Sequence, residues 1–267
     1  MKTLSFVNNK GGVGKTTSAQ NVGTALHRFA NSRVLFVDLD AQASLTRCFG
    51  YSNLDFFNAD SGSFILKDKT FEEVVISTEV GDLLPASMGF LATEERIKSS
   101  PIFPFNLKFA LNKIKHLYDF IVIDCPPSLS TAARIALVAS DLYFVPLQAE
   151  FLSYEGLRNF LTFASQLSMI CPDLELGGVF ATRYNPNLRR RLSIDLIKST
   201  KKQLNEQFLD TYIRENVAIP EAQAHAMDIF SYDPDSNGAI DYYKLTREMI
   251  NKRFTKDLME QLLSQTR

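Results

Sequence analysis

A chain of 267 residues, 45% hydrophobic and 22% charged, has enough apolar content to bury a large core and reads as one globular domain spanning 1–267. Its formal net charge of −1 excludes a polycation, so any affinity for nucleic acid has to come from a local basic patch. The three cysteines, Cys48, Cys125 and Cys171, lie far apart and form no C-x-x-C pair, which excludes a disulfide framework, a zinc ribbon and a cysteine-held cluster and leaves reduced core thiols.

Met1 leads almost at once into an apolar strand, without the charged region and cleavage site of a secretory leader. No run reaches the ~18 apolar residues of a membrane span, so a cytosolic protein is expected. Short apolar runs then alternate with longer amphipathic stretches. Strands are predicted at 3–7, 33–37, 82–85, 120–123, 142–147 and 176–182, and helices at 16–29, 107–115, 154–167, 192–208 and about 241–263. This alternation is the βαβ signature of an α/β fold, a doubly wound, mostly parallel sheet with helices on both faces. The stretch 51–70 has the least pattern and reads as a surface excursion.

Directly after the first strand comes Asn9-Lys10-Gly11-Gly12-Val13-Gly14-Lys15-Thr16-Thr17, and then the first helix. Glycines let successive backbone N–H groups face one concavity, and the helix N-terminus adds its dipole, which together suit phosphate. In such a loop Lys15 reaches the β- and γ-phosphates and the Thr16 hydroxyl holds Mg²⁺. Asn9 stands where the common phosphate-loop pattern has its first glycine.

The second strand runs into Asp38-Leu39-Asp40, whose alternation puts both carboxylates on one side at the carboxyl edge of the sheet, where open α/β sheets bind ligands. The strand at 120–123 likewise runs into Asp124, the arrangement that supports a Mg²⁺-bound water. Acids at strand ends also cap helices and form turns. Three of them after two strands, beside a phosphate loop, favour a metal site.

In the carboxyl-terminal half, Arg183, Arg189, Arg190, Arg191, Lys198, Lys201 and Lys202 face a single acid, Asp195. They form either a solvated helix face or a phosphate-contacting patch for sequence-independent DNA binding. Further on, Asp233, Asp235, Asn237 and Gly238 imitate the start of a calcium loop, but the twelfth position is Lys244, which cannot close the site, so a turn is expected. His27, His116 and His225 are isolated on expected helices, with His27 on the surface of the first.

The segment Lys10-Gly11-Gly12-Val13-Gly14-Lys15-Thr16 resembles the deviant Walker motif of the ParA/MinD superfamily. The resemblance extends over nearly the whole chain, including Pro146-Leu147-Gln148-Ala149-Glu150, Ile213-Arg214-Glu215-Asn216-Val217-Ala218-Ile219-Pro220-Glu221-Ala222 and Tyr232-Asp233-Pro234-Asp235-Ser236-Asn237-Gly238-Ala239, which are similar to ParA/Soj proteins. It implies a deviant P-loop ATPase that takes ATP and Mg²⁺, with Lys10 through Thr17 around the phosphates and Thr16, Asp38 and Asp124 around the metal. It further implies an ATP-dependent homodimer in which Lys10 reaches the nucleotide of the second subunit and Asp40 orients the attacking water. The resemblance also implies that hydrolysis is slow and stimulated by a ParB-type centromere-binding protein. It implies, too, that nonspecific DNA is bound through basic residues such as Arg189, Arg190, Arg191, Lys198, Lys201 and Lys202, which would put the protein on the nucleoid and serve plasmid or chromosome partitioning. Ala41 stands where the family commonly has proline, which alters loop stiffness more than chemistry.

Thr182-Arg183-Tyr184-Asn185-Pro186 also resembles MinD, a membrane-associated positioning ATPase whose members end in a basic amphipathic helix on the bilayer surface. Here Phe254, Leu258 and Leu262 share a face, but Asp257 and Glu260 dilute the charge, so packing against the domain is expected instead. The chain begins at its first strand, so the amino-terminal DNA-reading extension of longer ParA proteins is not expected. A metabolic ATP-dependent enzyme of this fold, such as dethiobiotin synthetase, would need a small-substrate pocket for which the sequence has no signature, and a nitrogenase-reductase reading would need cluster cysteines.

Overall fold

The computed structural model describes residues 1–184 and 191–254, with backbone alone at 151–154 and 191–193. Seven strands, β1 (Lys2–Phe6), β2 (Val34–Asp38), β3 (Ile76–Thr78), β4 (Gly81–Leu84), β5 (Phe120–Asp124), β6 (Leu142–Gln148) and β7 (Glu175–Thr182), form one sheet in the order β3-β4-β2-β5-β1-β6-β7. Every neighbouring pair is parallel except β3 and β4.

The central strands are apolar at nearly every position because both faces are covered. Period-two alternation sends Leu35, Val37, Ile121 and Ile123 into one core and Val34, Phe36, Phe120 and Val122 into the other. The first core is closed by helices Phe90–Lys98, Asn106–Asn112, Thr131–Ala139 and Phe151–Ser168, the second by Lys15–Ala30 and Asn237–Arg253. The fold is therefore the α/β, doubly wound, mostly parallel sheet that the alternation predicts. With β5 and β2 on one side of β1 and β6 and β7 on the other, the order reverses at β1, and the crevice beside its carboxyl end is where such sheets bind ligands.

Several local readings differ. The antiparallel strand β3 escapes sequence pattern because three residues, none of them buried, are too few to carry periodicity. The stretch 51–70 is a surface excursion only on either side of a buried centre: Asp60 caps helix Ser61–Ile65 in a capping box, and Ser61, Phe64 and Ile65 are buried. The last helix starts at Asn237, four residues before its expected start, because the Ser236 hydroxyl accepts from the Ala239 N–H at 3.2 Å. It ends at Arg253, and the remainder of the expected helix, with Leu258 and Leu262, lies outside the described residues. The helix expected at 192–208 is Arg191–Leu204 followed by a tighter turn at Asn205–Gln207, and the one expected at 107–115 closes at Asn112. Short helices such as Ser44–Cys48 and Ala218–Ala224 were beneath what periodicity resolves. Among the described residues no helix is long and apolar enough to cross a membrane.

Helix Lys15–Ala30 lies close to the sheet because it carries Gly23 on its inner face: a Cβ there would sit 2.2 Å from Cε1 of the fully buried Phe36. Gly23→Val is expected to destabilise the protein by about 1–3 kcal/mol through overpacking. The check is a thermal melt, in which an unchanged midpoint would mean that the Phe36 ring has room to move.

Candidate functional site

The loop after β1 is shaped by two glycines in the left-handed region, Gly12 (φ +72°) and Gly14 (φ +93°), where a side chain would be strained. Residues beyond the loop anchor it. Asn8 Nδ2 donates to the Pro146 carbonyl of β6 at 2.8 Å, and its Oδ1 accepts from the Lys10 N–H at 3.0 Å. Thr182 Oγ1, at the end of β7, donates to the Val13 carbonyl at 2.8 Å, and Gln148 Nε2 donates to the Gly12 carbonyl at 3.3 Å. Gly14 gives helix Lys15–Ala30 no side-chain cap, so the N–H groups of the first turn face the cleft with the positive end of the dipole.

Lys15 is buried, and its Nζ donates to the Lys10 carbonyl at 2.9 Å. Burial lowers its pKa, against the raising effect of Asp124. The Lys10 ammonium pairs with Glu150, whose carboxyl is held below its usual range by that hydrogen bond.

Strand register brings the acids together. Asp38 and Asp124 are paired across β2 and β5, and both are wholly buried. Asp38 Oδ1 accepts from the Asp40 N–H at 3.0 Å, and its Oδ2 accepts from the Thr46 N–H and hydroxyl at 2.9 and 2.8 Å. Burial still pushes the Asp38 carboxyl up to about 6. Asp124 Oδ2 accepts from Thr16 Oγ1 at 2.6 Å, and burial, then the charge of Asp38, pushes its carboxyl well above the ordinary range. Two adjacent carboxylates, desolvated and next to a threonine hydroxyl, form an all-oxygen donor set that fits a hard divalent cation such as Mg²⁺.

Asp40 differs from Asp38 in environment, contrary to the alternation, because it lies past the end of β2. It is half-buried, accepts from the Gln42 N–H at 2.9 Å, and lines a cleft of about 660 Å³ together with Gly11, Gly12, Gly14, Lys15, Thr16 and Thr17. Cys48 and Cys125 also line it, and burial pushes the Cys48 thiol up to about 12 and the Cys125 thiol higher than usual, so both stay protonated.

A second cleft of about 500 Å³ adjoins the first along Gly12, Gly14 and Thr17. Its far walls are Thr182, Arg183 and Tyr242 and the run Ile213, Arg214, Glu215, Asn216, Val217, Ile219 and Pro220. Sequence reasoning assigned it no site, although the run lies in a segment that carries the family resemblance. The run is fixed by the Ile213 N–H donating to the Ala181 carbonyl at 2.8 Å and by the Arg214–Asp241 ion pair at 2.7 Å. Asp241 therefore faces Arg214, while Asp233–Ser236 form a turn that starts the last helix.

The basic segment comes together only in part. Lys198, Lys201 and Lys202 are exposed on helix Arg191–Leu204, but Lys201 pairs with Asp210, and Arg183 pairs with Glu215 at 3.6 Å beside the second cleft. Arg189 and Arg190 lie outside the described residues, and of Arg191 the backbone alone is described. His27 is half-buried rather than at the surface, with Nδ1 3.1 Å from the Ser32 carbonyl.

Carboxyls whose folded pKa is raised stabilise the fold when protonated and lose that contribution as pH rises. For Asp38 the window runs from its ordinary value near 3.8 to about 6, and Asp124 extends it upward. Without nucleotide and metal, the melting temperature is expected to fall between pH 5 and pH 7.5, by the equivalent of on the order of 2 kcal/mol. Asp124→Asn is expected to flatten that slope, and a wild-type midpoint independent of pH over this range would contradict the desolvation of the pair.

Comparison with known proteins places this geometry. A family model described as AAA domain matches residues 1–175. The chain is 35% identical to the chromosome-partitioning ATPase Soj of Treponema pallidum, over 93% of its own length and 97% of that protein. It is 34% identical to the sporulation initiation inhibitor protein Soj of Bacillus subtilis, over 93% and 98%. Among solved structures, cobyrinic acid a,c-diamide synthase from Mycobacterium smegmatis with bound ADP and magnesium superposes with a TM-score of 0.80 at 30% identity, covering 92% of this chain and 93% of that one. A glycine loop after a central strand, buried acids on the two strands beside it, and these relatives along almost the full length agree: the chain belongs to the AAA-domain family and, within it, to the ParA/Soj-type ATPases.

Proposed function

We propose that this chain is an ATP- and Mg²⁺-dependent switch for plasmid or chromosome partitioning, which dimerises with ATP, binds DNA without regard to sequence, and is reset by slow hydrolysis that a ParB-type protein stimulates. The observation that carries the reading is the meeting of the two clefts at Gly12, Gly14 and Thr17, next to Lys15 and the buried acids. One cleft is lined by the glycine loop, Lys15, Thr16 and Asp40, which suits a triphosphate and its cation; the other is the more apolar of the two, which suits a base.

In this reading Lys15 exchanges the Lys10 carbonyl for the β- and γ-phosphates, and Thr16, Asp38 and Asp124 hold Mg²⁺. The bound cation supplies neutralising charge to the phosphates and relieves the buried carboxylates. Asp40, open to the phosphate cleft, orients the attacking water. Lys10 leaves Glu150 and reaches the nucleotide of a second copy, where facing triphosphates concentrate negative charge. The whole chain, 1–267, works as one ATPase unit in the cytoplasm, on the nucleoid. DNA phosphates meet the basic helix, with Lys198 and Lys202 contributing more than Lys201, whose charge Asp210 already balances. Arg189, Arg190 and Arg191 complete the patch.

Asp40→Ala is expected to retain ATP binding while hydrolysis drops by about 10²–10⁴-fold, leaving a long-lived dimer. Size-exclusion chromatography with ATP reads this directly, and a variant that stays monomeric while the wild type dimerises would remove Asp40 from the water-orienting role.

DNA binding by anisotropy with ATP, with ADP and without nucleotide tests the switch itself. Tight binding is expected with ATP alone, with each phosphate contact steepening log K against log salt by about 0.9. Lys10→Ala should bind ATP yet stay monomeric and lose tight DNA binding, whereas Lys198→Ala/Lys202→Ala should dimerise normally and bind unrelated sequences equally weakly. ATP-independent binding by the Lys10 variant would overturn the switch, and full affinity in the double variant would move the DNA site elsewhere.

A further inference from the structure

Where the phosphate cleft passes into the apolar cleft, four residues border both: Gly12, Gly14, Thr17 and Gln223. The glycines offer no side chain, and the Thr17 hydroxyl accepts from Gln223 Nε2 at 3.1 Å. The same amide nitrogen lies 3.6 Å from Cys48 Sγ, so both of its N–H groups have partners on the helices beside it. That fixes the amide plane and leaves Oε1 as the acceptor at the border, with no hydrogen-bond donor among the described residues. The short helix Ala218–Ala224 that carries Gln223 is itself seated, since Ala218 and Ala222 are buried and Ala222 accepts from the Met227 N–H at 2.9 Å.

A nucleotide with phosphates in one cleft and base in the other must lay its sugar across this border, because the sugar joins the two covalently. We infer that Gln223 is a specificity-determining residue that accepts a hydrogen bond from a ribose hydroxyl and so selects ribonucleotides over deoxyribonucleotides. The inference rests on the nucleotide reading of the two clefts given above. A polar group placed to pair with a substrate hydroxyl is left unsatisfied by the analogue lacking it, which is how such sites discriminate.

The test is calorimetric titration of the full-length protein with Mg²⁺ and, in turn, ADP, 2′-deoxy-ADP and 3′-deoxy-ADP, for the wild type, Gln223→Ala and Gln223→Met. Methionine keeps the length and apolar bulk of the side chain without its amide, and melting temperatures establish that each variant is folded. The wild type is expected to prefer ADP over at least one deoxy analogue by about 3–10-fold, and the variants to bind all three alike. If Gln223 only ties its helix to Thr17, the variants will weaken toward all three ligands by one factor and keep the wild-type preference. That outcome, or a wild type with no preference, overturns the inference while leaving the nucleotide reading intact. A wild type that binds none of the three overturns the nucleotide reading and this inference with it.

Discussion

Two carboxylates that water cannot reach face each other across neighbouring strands, and much of the molecule is arranged around them. Asp38 and Asp124 occupy matched register positions at the carboxyl ends of β2 and β5, with no exposed surface. Placing like charges there is unfavourable in a low-dielectric interior. The surrounding groups offset part of that cost. Thr46 gives Asp38 two hydrogen bonds and accepts the Ala86 N–H at 2.9 Å, which ties helix Ser44–Cys48 to the chain after β4. Ser61 Oγ donates to the Asp38 carbonyl at 2.7 Å, so the buried helix within the 51–70 stretch is also secured to this strand end. What remains uncompensated is a demand for positive charge, met in part by Lys15 and suited to a bound cation.

The same edge explains why the phosphate loop can hold an unusual backbone. Gly12 and Gly14 supply the conformation, while Asn8, Gln148 and Thr182 fix it from the ends of β1, β6 and β7. These anchors join strands on one side of β1 to the loop, and the acids join those on the other. The reversal of strand order at β1 is thus the point where both halves of the sheet act on one ligand. The apolar cleft belongs to this arrangement because its wall is held by β7 through Ala181 and by the last helix through Asp241. A base seated there would be held by parts of the chain more than 150 residues from the loop that holds its phosphates.

Charge on the surface is distributed less simply than the count of arginines and lysines along 183–202 implies. Long cationic side chains reach carboxylates outside their own helix or strand, as Lys201 reaches Asp210 and Arg183 reaches Glu215. Such exposed pairs contribute little to stability, about 0–1 kcal/mol each, but they reduce the charge presented to a polyanion.

The sequence by itself determined the fold class and the local chemistry of the loop and strand ends. Apolar runs of strand length, separated by helical periodicity, leave a parallel sheet covered on both faces as the arrangement that buries them, and Gly-Lys-Thr after a strand sets backbone and side chain for phosphate in consecutive residues. Each of these signals is carried by neighbours along the chain. Tertiary structure decided the rest, because the partners are far apart in sequence. It separated Asp38, turned into Thr46, from Asp40, left on the cleft. It buried Ser61–Ile65 within a stretch that lacks periodicity, brought Gln223 to Thr17 across more than 200 residues, and built the second cleft from four separate segments. Periodicity reports which face of an element is buried; which distant side chain lies opposite depends on strand order and loop path, and these are fixed only when the whole sheet is packed.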